Sequence, residues 1–136
     1  MKTSLMEIPG IEPEHQTVWR VRVLAIDDKA PALAALIRWE KTYIKEYKSI
    51  MKVLRLAGQQ QRVKNPKHVK KTNNPKHGEV YEAIAYTGIA RLMFFYDDRT
   101  EALIICTNEY EKGGGNQDAA FARCAQLKQV YLDNIP

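Results

Sequence analysis

Residues 79–107 read Glu79-Val-Tyr-Glu-Ala-Ile-Ala-Tyr-Thr-Gly-Ile-Ala-Arg-Leu-Met-Phe-Phe-Tyr-Asp-Asp-Arg-Thr-Glu-Ala-Leu-Ile-Ile-Cys-Thr107. Three apolar-rich runs stand in this stretch, Glu79–Tyr86, Ile89–Tyr96 and Glu101–Thr107, joined by Thr87-Gly88 and by Asp97-Asp-Arg-Thr100. Both connections have hairpin length, so the segment is predicted as an antiparallel meander. On the middle run Arg91, Met93 and Phe95 share one face, and Leu92, Phe94 and Tyr96 share the other. Side chains alternate across a strand, so apolar groups on both faces predict a central strand covered from each side. Arg91 is the odd residue in that setting.

Beyond the meander, a loop containing Gly113-Gly-Gly115 leads to Asn116, a suitable cap for a last helix. Ala120, Phe121, Cys124, Leu127 and Tyr131 give that helix a buried face. Ahead of the meander, Gln59–Gly78 is polar and carries Pro66 and Pro75, which predicts a long loop with little regular structure. Within it Asn65-Pro-Lys-His68 is echoed by Asn74-Pro-Lys-His77. Further upstream, Leu33, Leu36, Ile37, Tyr43, Ile44, Tyr47, Ile50, Met51 and Leu54 recur at helical spacing. Arg38, Lys41, Lys45, Lys48, Lys52 and Arg55 follow the same spacing on roughly the opposite side. Both stripes hold phase, which predicts one long helix over about 33–55 with Gly58 as its stop and Trp39 outside the apolar stripe. Asp27 or Asp28 is the expected cap and Pro31 belongs to the first turn. Val18–Ala25 alternates as a strand whose basic face, Arg20 and Arg22, suits a sheet edge. Residues 1–17, with Pro9, Gly10 and Pro13, are expected to be an extended or flexible arm ahead of a single 18–136 domain. Strand, long helix, loop, meander and helix make an α+β domain.

Composition fits that reading. The chain has 136 residues, 45% of them hydrophobic and 27% charged, a balance that excludes wholesale disorder and suits one domain with a sizeable core. The longest uninterrupted apolar run, Leu92–Tyr96, is far too short to span a bilayer, and the N-terminus lacks a secretory apolar stretch. Cys106 and Cys124 lack metal-site spacing and fall on apolar faces, so they read as core residues of a cytosolic protein. No carboxylate cluster has metal-ligand spacing, and neither a metal nor a cofactor is expected.

Charge is the informative quantity. Between Arg38 and His77 stand 12 Lys and Arg against two acids, Glu40 and Glu46, a formal +10 in a chain whose net charge is +5. Such segregation points to a polyanionic partner, because clustered phosphate contacts release counterions and attract nucleic acid. Ribonuclease chemistry needs a base for the ribose 2′-hydroxyl, cations for the charge developing at phosphorus and a donor for the leaving oxygen. Clustered lysines with an arginine supply cations, and His68 and His77 are the candidate histidines, which are otherwise solvated loop residues. Arg91 is either a phosphate ligand or the partner of Glu82 on the neighbouring strand. Glu111-Lys-Gly-Gly-Gly-Asn-Gln117 suits an anion cradle at a helix start, but it lacks the lysine-serine/threonine ending of a nucleotide-binding loop.

Val80-Tyr-Glu-Ala83, Thr87-Gly-Ile-Ala-Arg-Leu-Met-Phe-Phe-Tyr-Asp97 and Ile104-Ile-Cys-Thr-Asn-Glu-Tyr-Glu-Lys112, with a basic run before and a helix after, resemble toxins of the RelE/ParE superfamily, above all its HigB-like, phage-related branch. The resemblance covers roughly residues 60–130. It implies a RelE-like fold, a cognate antitoxin that oligomerises with the toxin, and as target either ribosome-engaged mRNA or DNA gyrase. It places Arg91 as the family arginine, Lys112 as the basic residue after the last strand, and Lys70 and Lys71 in the basic stretch. Ile84 stands where many members carry an arginine, and Gly113-Gly-Gly115 replaces a common proline.

Together these readings predict a metal-independent, ribosome-dependent endoribonuclease that inhibits translation. Arg91, Lys70, Lys71 and Lys112 would act at the phosphate, with His68 or His77 as acid or base. Lys64, Lys67, Lys76, Lys48, Lys52 and Arg55 would bind the RNA. The alternatives are a gyrase inhibitor acting through the Lys41–Arg55 stripe, and a nucleic-acid-binding domain that cleaves nothing. Both are favoured by Ile84.

Overall fold

The computed structural model describes residues 1–134, so Ile135 and Pro136, the end of the expected 18–136 domain, lie outside the described residues. Six strands, β1 (Thr3–Glu7), β2 (Arg20–Ile26), β3 (Val69–Lys71), β4 (Tyr81–Ile84), β5 (Ala90–Asp97) and β6 (Leu103–Glu111), accompany three α-helices, α1 (Pro31–Thr42), α2 (Ile44–Gln59) and α3 (Gln117–Asn134). The strands form one mixed sheet in the order β1-β2-β6-β5-β4-β3, antiparallel throughout except for the parallel β2–β6 pair. Helices α1 and α2 cover one face and α3 the other, which gives an α+β sandwich of three layers.

The meander is the centre of this arrangement. Leu92 and Phe94 of β5 point into the core under α1 and α2, while Met93 and Phe95 point into the core under α3. A bulge between Met93 and Phe94 leaves Thr107 as an extra residue on β6, between Cys106 opposite Phe94 and Asn108 opposite Met93. The bulge turns Asn108 toward α3, where its Nδ2 donates to the Ala120 carbonyl at 3.1 Å. On α3 itself Ala120, Phe121, Cys124, Leu127 and Tyr131 are all buried, and the Asn116 side chain accepts from the Ala119 N–H at 3.0 Å. Cys106 and Cys124 are free thiols in the core, and burial pushes both pKa values up, that of Cys124 to about 12.

The predicted long helix is two helices. The backbone leaves helical geometry at Tyr43 (φ −140°, ψ 64°), and α1 and α2 pack against each other across the sheet. A straight helix over 31–59 would be about 43 Å long, whereas six strands span roughly 24 Å, so an unbroken helix would overhang the sheet. The core stripe of α1 is Ala32, Ala35, Leu36 and Trp39, with Trp39 fully buried; Ile37, Tyr43 and Ile44 face outward instead. Small alanines at the contact let the helix approach the sheet closely, a role a hydrophobicity count undervalues.

Four further expectations change. The 1–17 segment is no flexible arm, because β1 pairs with β2 through its backbone and Ile8 and Ile11 are buried in the core. For the same reason β2 is no edge strand, and its Arg22 is satisfied by Gln16 (2.8 Å) and the Val21 carbonyl (2.9 Å). The 59–78 loop contains β3, which closes the far edge of the sheet against β4. Neither aspartate caps α1: Asp27 and Asp28 adopt positive φ in a tight turn, Asp27 accepts the Lys2 N–H, and the helix starts behind Ala30 with Pro31 in its first turn.

Gly58 lies inside α2 and serves close approach. Its carbonyl accepts the N–H groups of Val18 (2.9 Å) and Trp19 (3.0 Å), and an added Cβ would stand 2.3 Å from the His15 carbonyl oxygen. No helix among the described residues is long and apolar enough to cross a membrane.

Candidate functional site

Arg91, at the start of β5, is a buried and paired cation. Its Nη1 donates to Glu82 Oε1 on β4 at 2.8 Å and to the Tyr110 hydroxyl at 3.3 Å, and its Nε donates to the Gly88 carbonyl at 2.9 Å. Glu82 has no exposed surface, and its other oxygen accepts from Gln117 Nε2 in the first turn of α3. The Tyr110 hydroxyl completes the network, and burial together with the Glu82 charge raises its pKa. Of the two roles open to Arg91 in the sequence, the structure realises the pair with Glu82. A guanidinium neutralised at 2.8 Å is a poor free ligand for phosphate.

Next to this network opens a polar cleft of about 260 Å³ between β3 and the N-terminus of α3. Lys70, Lys71, Asn73, Asn74, Gln117 and Asp118 line it with Thr72 and Phe121. Lys71 is 3.3 Å from Glu79 across an exposed pair, which at such exposure contributes little to stability. Lys70 has no acidic partner among the described residues. Beside the cleft the His77 ring, mostly covered, places Nε2 3.0 Å from Asp118 Oδ1, and Asn74 Nδ2 donates to the same oxygen at 3.2 Å. The hydrogen bonds from Asn74 first, and then from His77, hold the Asp118 carboxyl below its usual pKa. An ionised carboxylate only accepts, so the His77–Asp118 hydrogen bond is made by the tautomer with its proton on Nε2.

The two Asn-Pro-Lys-His echoes are one turn used twice. Asn65 Oδ1 accepts the Lys67 N–H at 3.0 Å and Asn74 Oδ1 accepts the Lys76 N–H at 3.0 Å. The backbone carbonyls of Asn65 and Asn74 accept the N–H groups of His68 and His77. This is the local turn that asparagine favours, with proline next to fix φ. The two histidines then diverge. His77 reaches Asp118, whereas His68 packs on Tyr86 with ring centroids 4.9 Å apart, away from the cleft.

The predicted residues therefore fall into separate groups. Lys70 and Lys71 line the cleft, His77 stands beside it through its contact with Asp118, and Arg91 borders it only through Glu82 and Gln117. Lys112 follows β6, where its N–H donates to Ile89, and does not line the cleft. Lys64, Lys67 and Lys76 are exposed along the 59–78 segment. Lys48, Lys52 and Arg55 sit on the outer face of α2 with Tyr86, in a second depression. Asn74, Gln117 and Asp118 are site residues that sequence reading missed. The only signal for them was the repeated asparagine turn and the polar first turn after Asn116. Among the described residues no group of three His, Cys, Asp or Glu is placed to hold a metal ion.

Comparison of the chain with protein-family models, with curated proteins and with solved structures yields no match.

Proposed function

We propose that this protein is an RNA-directed toxin of the RelE/ParE kind, acting in the cytoplasm on ribosome-engaged mRNA and neutralised by an acidic antitoxin. The single observation that carries a cleaving role is the His77–Asp118 pair beside the Lys70–Lys71 cleft. In this reading His77 Nδ1 takes the proton of a ribose 2′-hydroxyl, and the oxygen attacks the adjacent phosphorus. The bond to the 5′-oxygen then breaks, that oxygen takes a proton from water, a 2′,3′-cyclic phosphate is left on the upstream strand, and Lys70 stabilises the added negative charge on the phosphoryl oxygens. Asp118 orients the ring and stabilises the imidazolium. Arg91 acts through Glu82 as a structural support. The element order, with a two-helix crossover, a meander and a last helix behind a basic loop, supports the same reading.

A second reading, a nucleic-acid-binding domain that cleaves nothing, is favoured by one observation: the family arginine is already neutralised by Glu82. Translation of a defined mRNA in a purified bacterial system, followed by primer extension, separates the two. Ribosome-dependent cuts that fall about 10²- to 10⁴-fold in His77→Ala, and also fall in Lys70→Ala, are expected from the cleaving reading. Intact mRNA with normal protein synthesis would sink it. Undiminished cutting by His77→Ala would remove His77 from the mechanism.

A further inference from the structure

The second depression, of about 490 Å³, lies on the outer face of α2 and is bounded by the β4–β5 turn. Lys45, Lys48, Lys52 and Arg55 are four of its nine lining residues, and none of the nine is acidic. Their spacing of three, four and three residues sets them along one side of the helix over roughly 15 Å. None of the four makes a salt bridge among the described residues; Arg55 spends its donors on the neutral carbonyl of Gly10, at 2.9 and 3.1 Å. Glu40, the acid nearest this end of the helix, is felt at Tyr47, whose phenol pKa is raised first by burial and then by that charge. The other acid of the segment, Glu46, is buried and points away from solvent.

An aromatic ring stands in the middle of this field. Tyr86 is 56% exposed, an unusual state for a large side chain beside a sheet. It is nevertheless fixed. Its N–H donates to Ser49 Oγ of α2, and the following turn is clamped by Glu46 Oε1, which accepts from the Thr87 hydroxyl at 2.6 Å and from the Ala90 N–H at 2.8 Å. His68 packs against the ring, and Lys52 Nζ is 5.7 Å from its centroid. A rigid exposed ring framed by unpaired cations is the chemistry that receives an unstacked base and its flanking phosphates.

We propose that the α2 face, with Tyr86 as stacking platform and Lys45, Lys48 and Lys52 as phosphate contacts, is a binding track for single-stranded RNA distinct from the β3–α3 cleft. The inference rests on the reading of the protein as RNA-directed and adds a site that reading does not need. Cations alone would serve any polyanion, an acidic protein segment included. The exposed ring is what singles out a ligand with bases.

The test is fluorescence anisotropy of the full chain, without ribosomes, against a labelled oligouridine of about ten nucleotides, a length within the usual site sizes. An abasic strand with the same phosphates and a polyglutamate peptide serve as comparison ligands. Wild type is expected to bind oligouridine more tightly than the abasic strand. Tyr86→Ala is expected to weaken oligouridine binding roughly 5- to 150-fold with little change for the abasic strand, and Tyr86→Trp to retain the preference. Lys48→Ala with Lys52→Ala is expected to flatten the slope of log K against log salt by about 1.4. An unchanged slope in the lysine variant, no effect of Tyr86→Ala, or binding of polyglutamate at least as tight as RNA would each overturn the proposal. The three side chains substituted in the track, Tyr86, Lys48 and Lys52, are at the surface, and matched thermal midpoints show that folding is preserved. Binding that survives in His77→Ala, with no mRNA cut by wild type, removes the cleft reading alone; loss of RNA binding in wild type removes the track.

Discussion

Replacing Arg91 by alanine should unfold much of this protein's stability margin, whatever it does to function. The substitution leaves the Glu82 carboxylate in a site with no solvent contact, still facing Gln117 and Tyr110 but with its cation gone. Breaking a buried ion pair from one side costs about 3–5 kcal/mol, because the remaining charge is uncompensated. A domain of this size has roughly 5–15 kcal/mol in all, so the loss is a large share. At about 3–4 °C per kcal/mol the midpoint should fall by roughly 10–20 °C. Trp19 and Trp39 are both buried, which makes their fluorescence a direct reporter in urea titrations. The control is the double change Arg91→Met with Glu82→Leu, which removes both charges and keeps bulk. Its cost should fall below the sum of the two single changes by about 2 kcal/mol or more. If Arg91→Ala stays within about 0.5 kcal/mol of wild type, the pair is not a stability element and the reasoning fails. If it is destabilised as expected, loss of activity in that variant says nothing about chemistry until folding has been measured.

Two other outcomes follow from the same geometry. Gly58→Ala should cost at least about 1–3 kcal/mol in chemical denaturation, since the new Cβ would meet the His15 carbonyl oxygen at 2.3 Å and backbone must move. Asp97 is held at a pKa of about 2, against an ordinary 3.8, chiefly by the Arg99 guanidinium and also by the Tyr131 hydroxyl at 2.7 Å. Its folded value lies below its unfolded one, so this group's stabilisation is complete above about pH 5 and is lost as pH falls through 4 toward 2. About 2 kcal/mol of pH-dependent stability should vanish from that acid window in Asp97→Asn, as read by urea midpoints from pH 2 to 6.

What the sequence discloses depends on whether a residue's partner is near it in the chain. The double-faced β5 and the five buried positions of α3 follow from local periodicity, and both are present. Edge strand β1 escapes such reading because its place is secured by backbone pairing, which leaves no alternation in Thr3-Ser-Leu-Met-Glu7. The break at Tyr43 has no proline, glycine or capping side chain behind it, so no local signal marks it. At the cleft, Lys70, Lys71 and His77 are legible as a basic neighbourhood. Asp118 is not, because it reaches His77 from 41 residues away. The Arg91–Glu82 pair was visible as an alternative since register sets the two on adjacent strands, but only burial decides between pair and ligand.

The parallel alignment of β2 with β6 has a consequence for the growing chain. Arg20 lies opposite Leu103 and Val23 opposite Cys106, so the second strand made must wait for the sixth before its inner edge is covered. During synthesis at about 5–20 residues per second that edge is bare for several seconds, with only the β1 hairpin on its other side. Closing so long a loop precedes any reward from the contact, so this pairing is expected late in folding, with the bare edge open until then to pairing with a second nascent chain. A chain truncated after β5 keeps every residue of the basic helix face, yet it leaves β2 without the neighbour that fastens the N-terminal third of the protein to the rest.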